Sequence, residues 1–74
     1  MVEELFDVYF VYPEGFSTVE RLGVPIEEAV NFACLATGRP AAMMGLLPEI
    51  IITDEDDNCV FKWRYGQGVV FPSR

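Results

Sequence analysis

The sequence has 74 residues, of which 51% are hydrophobic, and it includes six Phe, three Tyr and one Trp. A chain this short makes one domain, and so apolar and aromatic a composition excludes a disordered tail. Twelve acidic residues stand against five basic ones, giving a formal net charge of −7. Such a surface repels phosphate backbones and anionic membranes, so we expect no direct binding of nucleic acid and favour a basic protein as partner.

Two cysteines are too few for a disulfide framework. Cys34 falls in an apolar helical pattern and Cys59 at the start of a strand, so we expect both to be reduced, buried and packed as small hydrophobes, with a single bridge as the alternative.

The first residues lack the basic and apolar regions of a secretion signal, and no apolar run approaches the roughly 20 residues of a membrane span. We therefore expect a complete cytoplasmic protein, with residues 1–74 as one domain.

The N-terminal third is typical of a β-hairpin. Residues 5–12 are rich in aromatic and β-branched side chains. Their alternation puts one set toward a core, namely Phe6, Val8, Phe10 and Tyr12. A Pro-Glu-Gly turn follows, and residues 16–22 form a second, weaker strand.

A helix is predicted from Pro25 in its first turn to about Thr37. Glu27 and Glu28 suit its positive N-terminal dipole, and Gly38 suits a left-handed C-terminal cap. Apolar residues recur at helical spacing and extend around the cylinder, so we expect little of the helix beyond its first turn to face water. The stripe consists of Ile26, Ala29, Val30, Ala33 and Cys34, extended by Phe32, Leu35 and Ala36.

The C-terminal half predicts a short helical turn over residues 41–44, a strand over 49–53, an acidic turn over 54–58 and a returning strand over 59–65. In the last strand we expect Phe61 and Trp63 to point inward with Cys59 and Tyr65, and Val60 to point outward with Lys62 and Arg64. Residues 69–71 can extend the sheet. The predicted class is α+β: an antiparallel sheet of about four strands in ββαββ order, with one main helix and a short helical turn on one face.

The sequence offers no catalytic constellation. It contains no histidine, so Ser17, Cys34 and Cys59 have no neighbouring general base of the usual kind. Asp54, Asp56 and Asn58 have the one-three-five spacing of a calcium loop, but its sixth and twelfth positions hold Cys59 and Tyr65 in place of Gly and Glu. We therefore expect no enzyme, no cofactor and no metal.

The acidic turn carries the functional prediction. Four successive carboxylates repel one another and exceed what a turn requires, which points to a binding role. A groove of Arg and Lys built for phosphates would accept such a surface through charge-assisted hydrogen bonds. We expect Glu49, at the far end of the preceding strand, to approach the same region. The predicted partner-binding residues are Asp54, Glu55, Asp56 and Asp57 in the turn, with Glu49, Glu27, Glu28, Glu14 and Glu20.

The chain combines its short length with an acidic hairpin TDEDDN, an aromatic strand FKWRY and a single helix over a short sheet. In these features it resembles the small acidic anti-CRISPR proteins of phages and mobile elements. The stretch from Ile50 to Pro72 is also similar to phage and prophage reading frames. Several anti-CRISPR proteins use carboxylates to occupy a DNA-binding groove. The resemblance implies a DNA mimic that occludes a Cas subunit in a bacterial host cell; the acidic residues named above come from the charge pattern and not from a family motif.

Two other interpretations stay open. Met43, Met44, Leu46 and Leu47 add apolar material to an apolar helix, which would suit a phage structural or assembly protein that forms a homodimer or larger homo-oligomer. Alternatively, the Met-Met turn plugs the end of the small core, which is the interpretation we favour for this segment. A third possibility is an antitoxin-like inhibitor of a basic nuclease, which would use the same electrostatics on another partner.

Overall fold

A computed structural model describes residues 4–72. Seven elements follow one another along the chain. The first is a hairpin of β1 (Phe6–Val11) and β2 (Ser17–Val24), followed by helix α1 (Ile26–Thr37) and the short helix α2 (Pro40–Met43). Strands β3 (Glu49–Thr53), β4 (Cys59–Arg64) and β5 (Gly68–Phe71) complete the chain. No helix in this range is long and apolar enough to cross a membrane.

The strands form one antiparallel sheet in the order β2-β1-β3-β4-β5. The predicted α+β class and antiparallel sheet are confirmed. The described strands number five where about four were expected, because residues 68–71 pair with β4 as a full strand. The order is therefore ββα followed by three strands, with β3 inserted next to β1 at the centre of the sheet.

The core lies between α1 and one face of the sheet. The helix contributes only small side chains to it, those of Ala29, Ala33 and Ala36, and these three are fully buried. Alanines at this spacing let the helix axis come close to the sheet. Larger side chains of the sheet fill the space beneath, namely Phe6, Val8 and Phe10 of β1 and Ile50 and Ile52 of β3, with Phe61 and Trp63 of β4 packed at the margin. The core face predicted for β1 is confirmed.

Helix α1 is more exposed than its composition predicts. Its buried stripe is narrow because it follows the alanines, so Cys34 and Leu35 lie outside it and face solvent. The expectation that Cys34 is buried is therefore wrong. Both cysteines are free, with Cys59 half-buried. Gly38 has a φ of −89°, in the right-handed region, because the chain enters α2 directly and needs no left-handed cap.

A bulge at the start of β4 changes which side chains reach the core. Thr53 pairs with Cys59 and Ile52 with Phe61, so Val60 is an extra residue between two pairs. Val60 consequently packs against the core, where the simple alternation put it outward. Tyr65 lies just past the strand, about half exposed. Its ring rests on Gly45, which has a φ of +80° and where a Cβ would lie 3.1 Å from the Tyr65 ring, so Gly is required there.

Three successive isoleucines in β3 allow a matched test of this packing. Ile50 and Ile52 are fully buried beneath α1, whereas Ile51 points to the other face and is half-buried. We expect Ile50→Ala and Ile52→Ala each to lower the free energy of unfolding by about 2–5 kcal/mol, and Ile51→Ala by less than half as much. Urea unfolding followed by tryptophan fluorescence measures all three. Equal losses at the three positions would contradict the assigned faces.

Candidate functional site

The acidic turn between β3 and β4 is fixed by its first residue. Asp54 and Asn58 close the turn through a backbone hydrogen bond of 3.0 Å from the Asp54 N–H to the Asn58 carbonyl. The Asp54 carboxylate Oδ1 also accepts hydrogen bonds of 2.9 Å from the N–H groups of Asp56 and Asn58. Asp57 takes a φ of 63°, a left-handed conformation that Asp tolerates better than most residues. The turn therefore holds one backbone shape.

These bonds also set the acidity of Asp54. The N–H of Asn58 stabilises the charged carboxylate and lowers the pKa of Asp54 below its ordinary value of 3.8. Desolvation opposes the shift, while the N–H of Asp56 and the side-chain amide of Asn58 add to it. Asp54 thus serves the turn itself, and its carboxylate is turned inward toward the turn backbone.

The other three carboxylates of the turn are available to a partner. Glu55, Asp56 and Asp57 are exposed, and their side chains accept no hydrogen bond from any residue in the described range. Because Asp54 fixes the backbone beneath them, their positions are restricted more than those of acidic residues on a mobile loop would be. A partner would lose less conformational freedom in binding them.

The sheet brings further acidic residues to the same end as this turn. In an antiparallel sheet of this order, β1 and β4 begin where β2, β3 and β5 end. Only Pro25 separates β2 from α1, so the first turn of the helix emerges there too. We define the acidic end as the described acidic residues at this end of the sheet: Glu4, Asp7, Glu27, Glu28, Asp54, Glu55, Asp56 and Asp57.

Three predicted site residues lie elsewhere. Glu49 begins β3, at the opposite end of the strand from the turn, so the expectation that it approaches the turn is wrong. Its carboxylate instead pairs with Arg64, at 2.7–2.8 Å from two guanidinium nitrogens. Glu14 lies in the β1–β2 turn, also at the opposite end, and Glu20 on β2 accepts a hydrogen bond of 2.6 Å from the Thr18 hydroxyl.

Basic side chains within residues 4–72 contact other parts of the surface. The guanidinium carbon of Arg21 lies 4.2 Å from the centroid of the Phe32 ring, and that of Arg39 lies 5.5 Å from the same centroid. Arg64 pairs with Glu49, and Lys62 lies on the sheet face away from the helices. No ion pair within this range neutralises a carboxylate of the acidic end. Among residues 4–72, its negative charge is therefore left without a basic partner.

Sequence reasoning missed two members of the acidic end. Glu4 precedes β1, and Asp7 is the second residue of that strand, where its Oδ1 accepts a hydrogen bond of 3.0 Å from the Gly23 N–H. Both acids are visible in the sequence, but their proximity to the turn depends on β3 pairing with β1. That pairing joins residues 38 to 46 positions apart and leaves no local signal.

Cavities and clustered metal ligands are not found in the described part of the chain. Residues 4–72 form no detectable pocket, and no three Cys, Asp or Glu side chains among them come close enough to hold a metal ion.

A second exposed feature is apolar. Met43 and Met44 are 67% and 70% exposed, and Leu46 and Leu35 are also exposed, whereas Leu47 is buried. The expectation that the Met-Met turn plugs the core is wrong, because Ala42 and Leu47 fill that position. We call the four exposed side chains the helical patch.

The turn geometry predicts a pH-dependent contribution to stability. Because its pKa is lowered on folding, Asp54 stabilises the fold above its ordinary pKa, and this stabilisation is lost as pH falls through the lowered pKa. We expect Asp54→Ala to reduce the melting temperature by several degrees at neutral pH, with a difference from the native chain that shrinks toward pH 2. Thermal unfolding across this pH range measures it. Asp56→Ala, which removes no acceptor of a turn hydrogen bond, is the control; a loss equal to that of Asp54→Ala would refute this role.

The chain matches no protein-family model, no curated protein and no solved structure. Its function is therefore inferred from its charge distribution and its geometry.

Proposed function

We propose that this protein is an inhibitory binding protein whose acidic end mimics the charge of DNA. The proposed partner is a basic nucleic-acid-binding protein, foremost a Cas subunit of a CRISPR complex, in the manner of anti-CRISPR proteins. Inhibition follows from occupying the groove and requires no catalysis. The observation that carries this proposal is the grouping of eight carboxylates at one end of the fold, with no ion pair to a basic side chain of the described residues.

The density of this charge is close to that of nucleic acid. Neighbouring strands lie about 4.8 Å apart, so the acidic end extends about 15 Å from the start of α1 beside β2 to the turn beside β4. Eight carboxylates over that width give on the order of one charge per 2 Å, against about one per 1.7 Å along duplex DNA. Six of the eight carboxylates accept no hydrogen bond from the described residues and would be open to Arg and Lys side chains arranged for phosphates, whereas Asp7 and Asp54 each accept backbone N–H groups.

The distribution also favours oriented binding. Eight of the chain's twelve acidic residues lie at the acidic end, whereas at the other end of the sheet the carboxylate of Glu49 is paired with Arg64. A molecule with this polarity turns its acidic end toward a positively charged groove as it approaches. Association should consequently slow as salt is raised.

A charge-matched pair of variants tests the proposal. The first, Glu55→Gln/Asp56→Asn/Asp57→Asn, changes the three exposed turn carboxylates; the second, Glu14→Gln/Glu20→Gln/Glu49→Gln, changes three acids outside the acidic end. Each shifts the formal net charge from −7 to −4. We expect the first to weaken inhibition by about ten- to a hundredfold for each engaged carboxylate, since a charge-assisted hydrogen bond contributes about 1.5–3 kcal/mol, and the second to change it little.

The measurement is displacement of labelled target DNA from purified Cas–guide RNA complexes of several types, at low and at physiological salt. Equal inhibition by the native chain and both variants would refute the acidic end as the binding surface. If no Cas complex is affected but a basic nuclease is inhibited with the same pattern of variants, the partner is the nuclease of the antitoxin-like interpretation.

A second candidate function rests on the helical patch. An exposed group of Met and Leu side chains is typical of surfaces that bind other proteins. If the chain is an assembly protein, Met43→Asp/Leu46→Asp would remove self-association while leaving the acidic end intact. DNA displacement that survives this double variant, together with an unchanged elution volume, would refute assembly through the patch.

A further inference from the structure

The sheet has a second face that none of the described elements covers. Both helices pack on the face formed by Val8, Phe10, Ile50 and Ile52. The strand pairings define the opposite side, which we name the open face. Its central row crosses all five strands through directly paired residues: Val19, Tyr9, Ile51, Lys62 and Phe71.

The central row is more apolar than is usual for a sheet face that is exposed to solvent. The solvated face of an antiparallel sheet usually alternates to polar residues. Here Val19 and Phe71 are 50% and 44% exposed, and Tyr9 and Ile51 are shielded only partly. Val11, in the neighbouring row, widens the apolar area. Lys62 is the one charged member, and its aliphatic stem can lie along an apolar surface while its ammonium group reaches a polar partner.

The charges on the open face balance. Asp7 and Glu49 carry two negative charges, and Lys62 and Arg64 carry two positive charges. A net charge of zero is unusual for one face of a chain with an overall charge of −7. Two copies that meet through this face bring no net charge into the contact, and each Glu49, which would lie near its own copy, is paired with Arg64 of its own chain.

We propose that two copies of this chain associate through their open faces, with Ile51 on the two-fold axis. Ile51 is the middle residue of the row, so a two-fold rotation about it sets each residue of the row opposite another residue of the same row. A two-fold axis parallel to the strands places Ile51 on Ile51 of the second copy, Tyr9 opposite Lys62, and Val19 opposite Phe71. The ammonium group of Lys62 then meets an aromatic ring, and the flanking side chains form an apolar contact. This inference does not depend on the proposed function.

The size of the face sets the strength of the dimer. Five strands at about 4.8 Å and about five residues at 3.3 Å give a footprint of roughly 400 Å² on each copy. The total of roughly 800 Å² falls below the standard size of a stable interface. We therefore expect a weak dimer in reversible exchange with the monomer.

The axis also places both acidic ends on the same side of the dimer. Their mutual repulsion opposes association and is screened as salt is added. Dimerisation should therefore strengthen with salt, whereas binding of a basic groove by the acidic end should weaken with salt. Because salt changes dimerisation and partner binding in opposite directions, a salt series shows which of the two proposals has failed.

A charge-swap experiment on the full chain tests the register. Sedimentation velocity over a concentration series should show the native mass rising from 8.4 kDa toward twice that value. Because Ile51 meets its own copy, Ile51→Lys and Ile51→Glu should each reduce association at least tenfold, while an equal mixture of the two should associate again. Met43→Lys and Met43→Glu, at an exposed position of the helical patch, are the matched controls and should dimerise like the native chain.

Three results would overturn the proposal: a native chain that stays monomeric up to millimolar concentration, a dimer unaffected by either Ile51 variant, or loss of association in the Met43 variants. Should the Ile51 variants fail to fold, as judged by circular dichroism, the native chain provides an independent readout. Amide chemical shifts that change with concentration should then cluster at Tyr9, Ile51 and Phe71. Shifts clustered on α2 would refute the open face as the contact.

Discussion

The close packing of three helical alanines on the sheet is the contact on which the rest of this structure depends. Ala29, Ala33 and Ala36 lie on the large side chains of β1 and β3, and they are the only residues of α1 that are fully buried. A domain this small has a large surface relative to its volume and buries a smaller fraction of its chain than a larger one, so the loss of a single well-packed contact is a large part of its stability. The helix therefore has one acceptable position, and the elements joined to it are placed with it.

The distribution of charge follows from that position. Since Pro25 alone joins β2 to α1, fixing the helix fixes Glu27 and Glu28 at one end of the sheet. The β3–β4 turn opens at the same end because β3 runs antiparallel to β1, and its Asp54 holds the backbone that carries the exposed carboxylates. Three acidic segments distant in sequence are thus brought to one end of the sheet. Their mutual repulsion lowers the stability of the fold.

The core, the acidic end and the open face use different parts of the fold. The core uses one face of the sheet, the acidic end uses the loops and the helix start, and the open face uses the remaining side of the strands. Lys62 and Arg64 alternate with the core residues Phe61 and Trp63 along β4, so one strand supplies both faces. The two surfaces share only Asp7, so a partner bound at the acidic end and a second copy bound at the open face would otherwise contact different residues.

Most of the secondary structure, the α+β class and the buried face of β1 are predictable from the sequence, because strand alternation and helical spacing are local properties that side-chain chemistry sets directly. The acidic turn is predictable too, since Asp-rich turn chemistry is local as well. Long-range packing, in contrast, pairs Glu49 with Arg64 away from the turn, brings Glu4 and Asp7 to the acidic end, and leaves Cys34 and Met43 facing solvent. These outcomes depend on the pairing of β3 with β1, on the rotation of α1 about its axis and on the bulge at Val60. Each of those is fixed by contacts between distant segments, for which a single sequence carries no periodic signal.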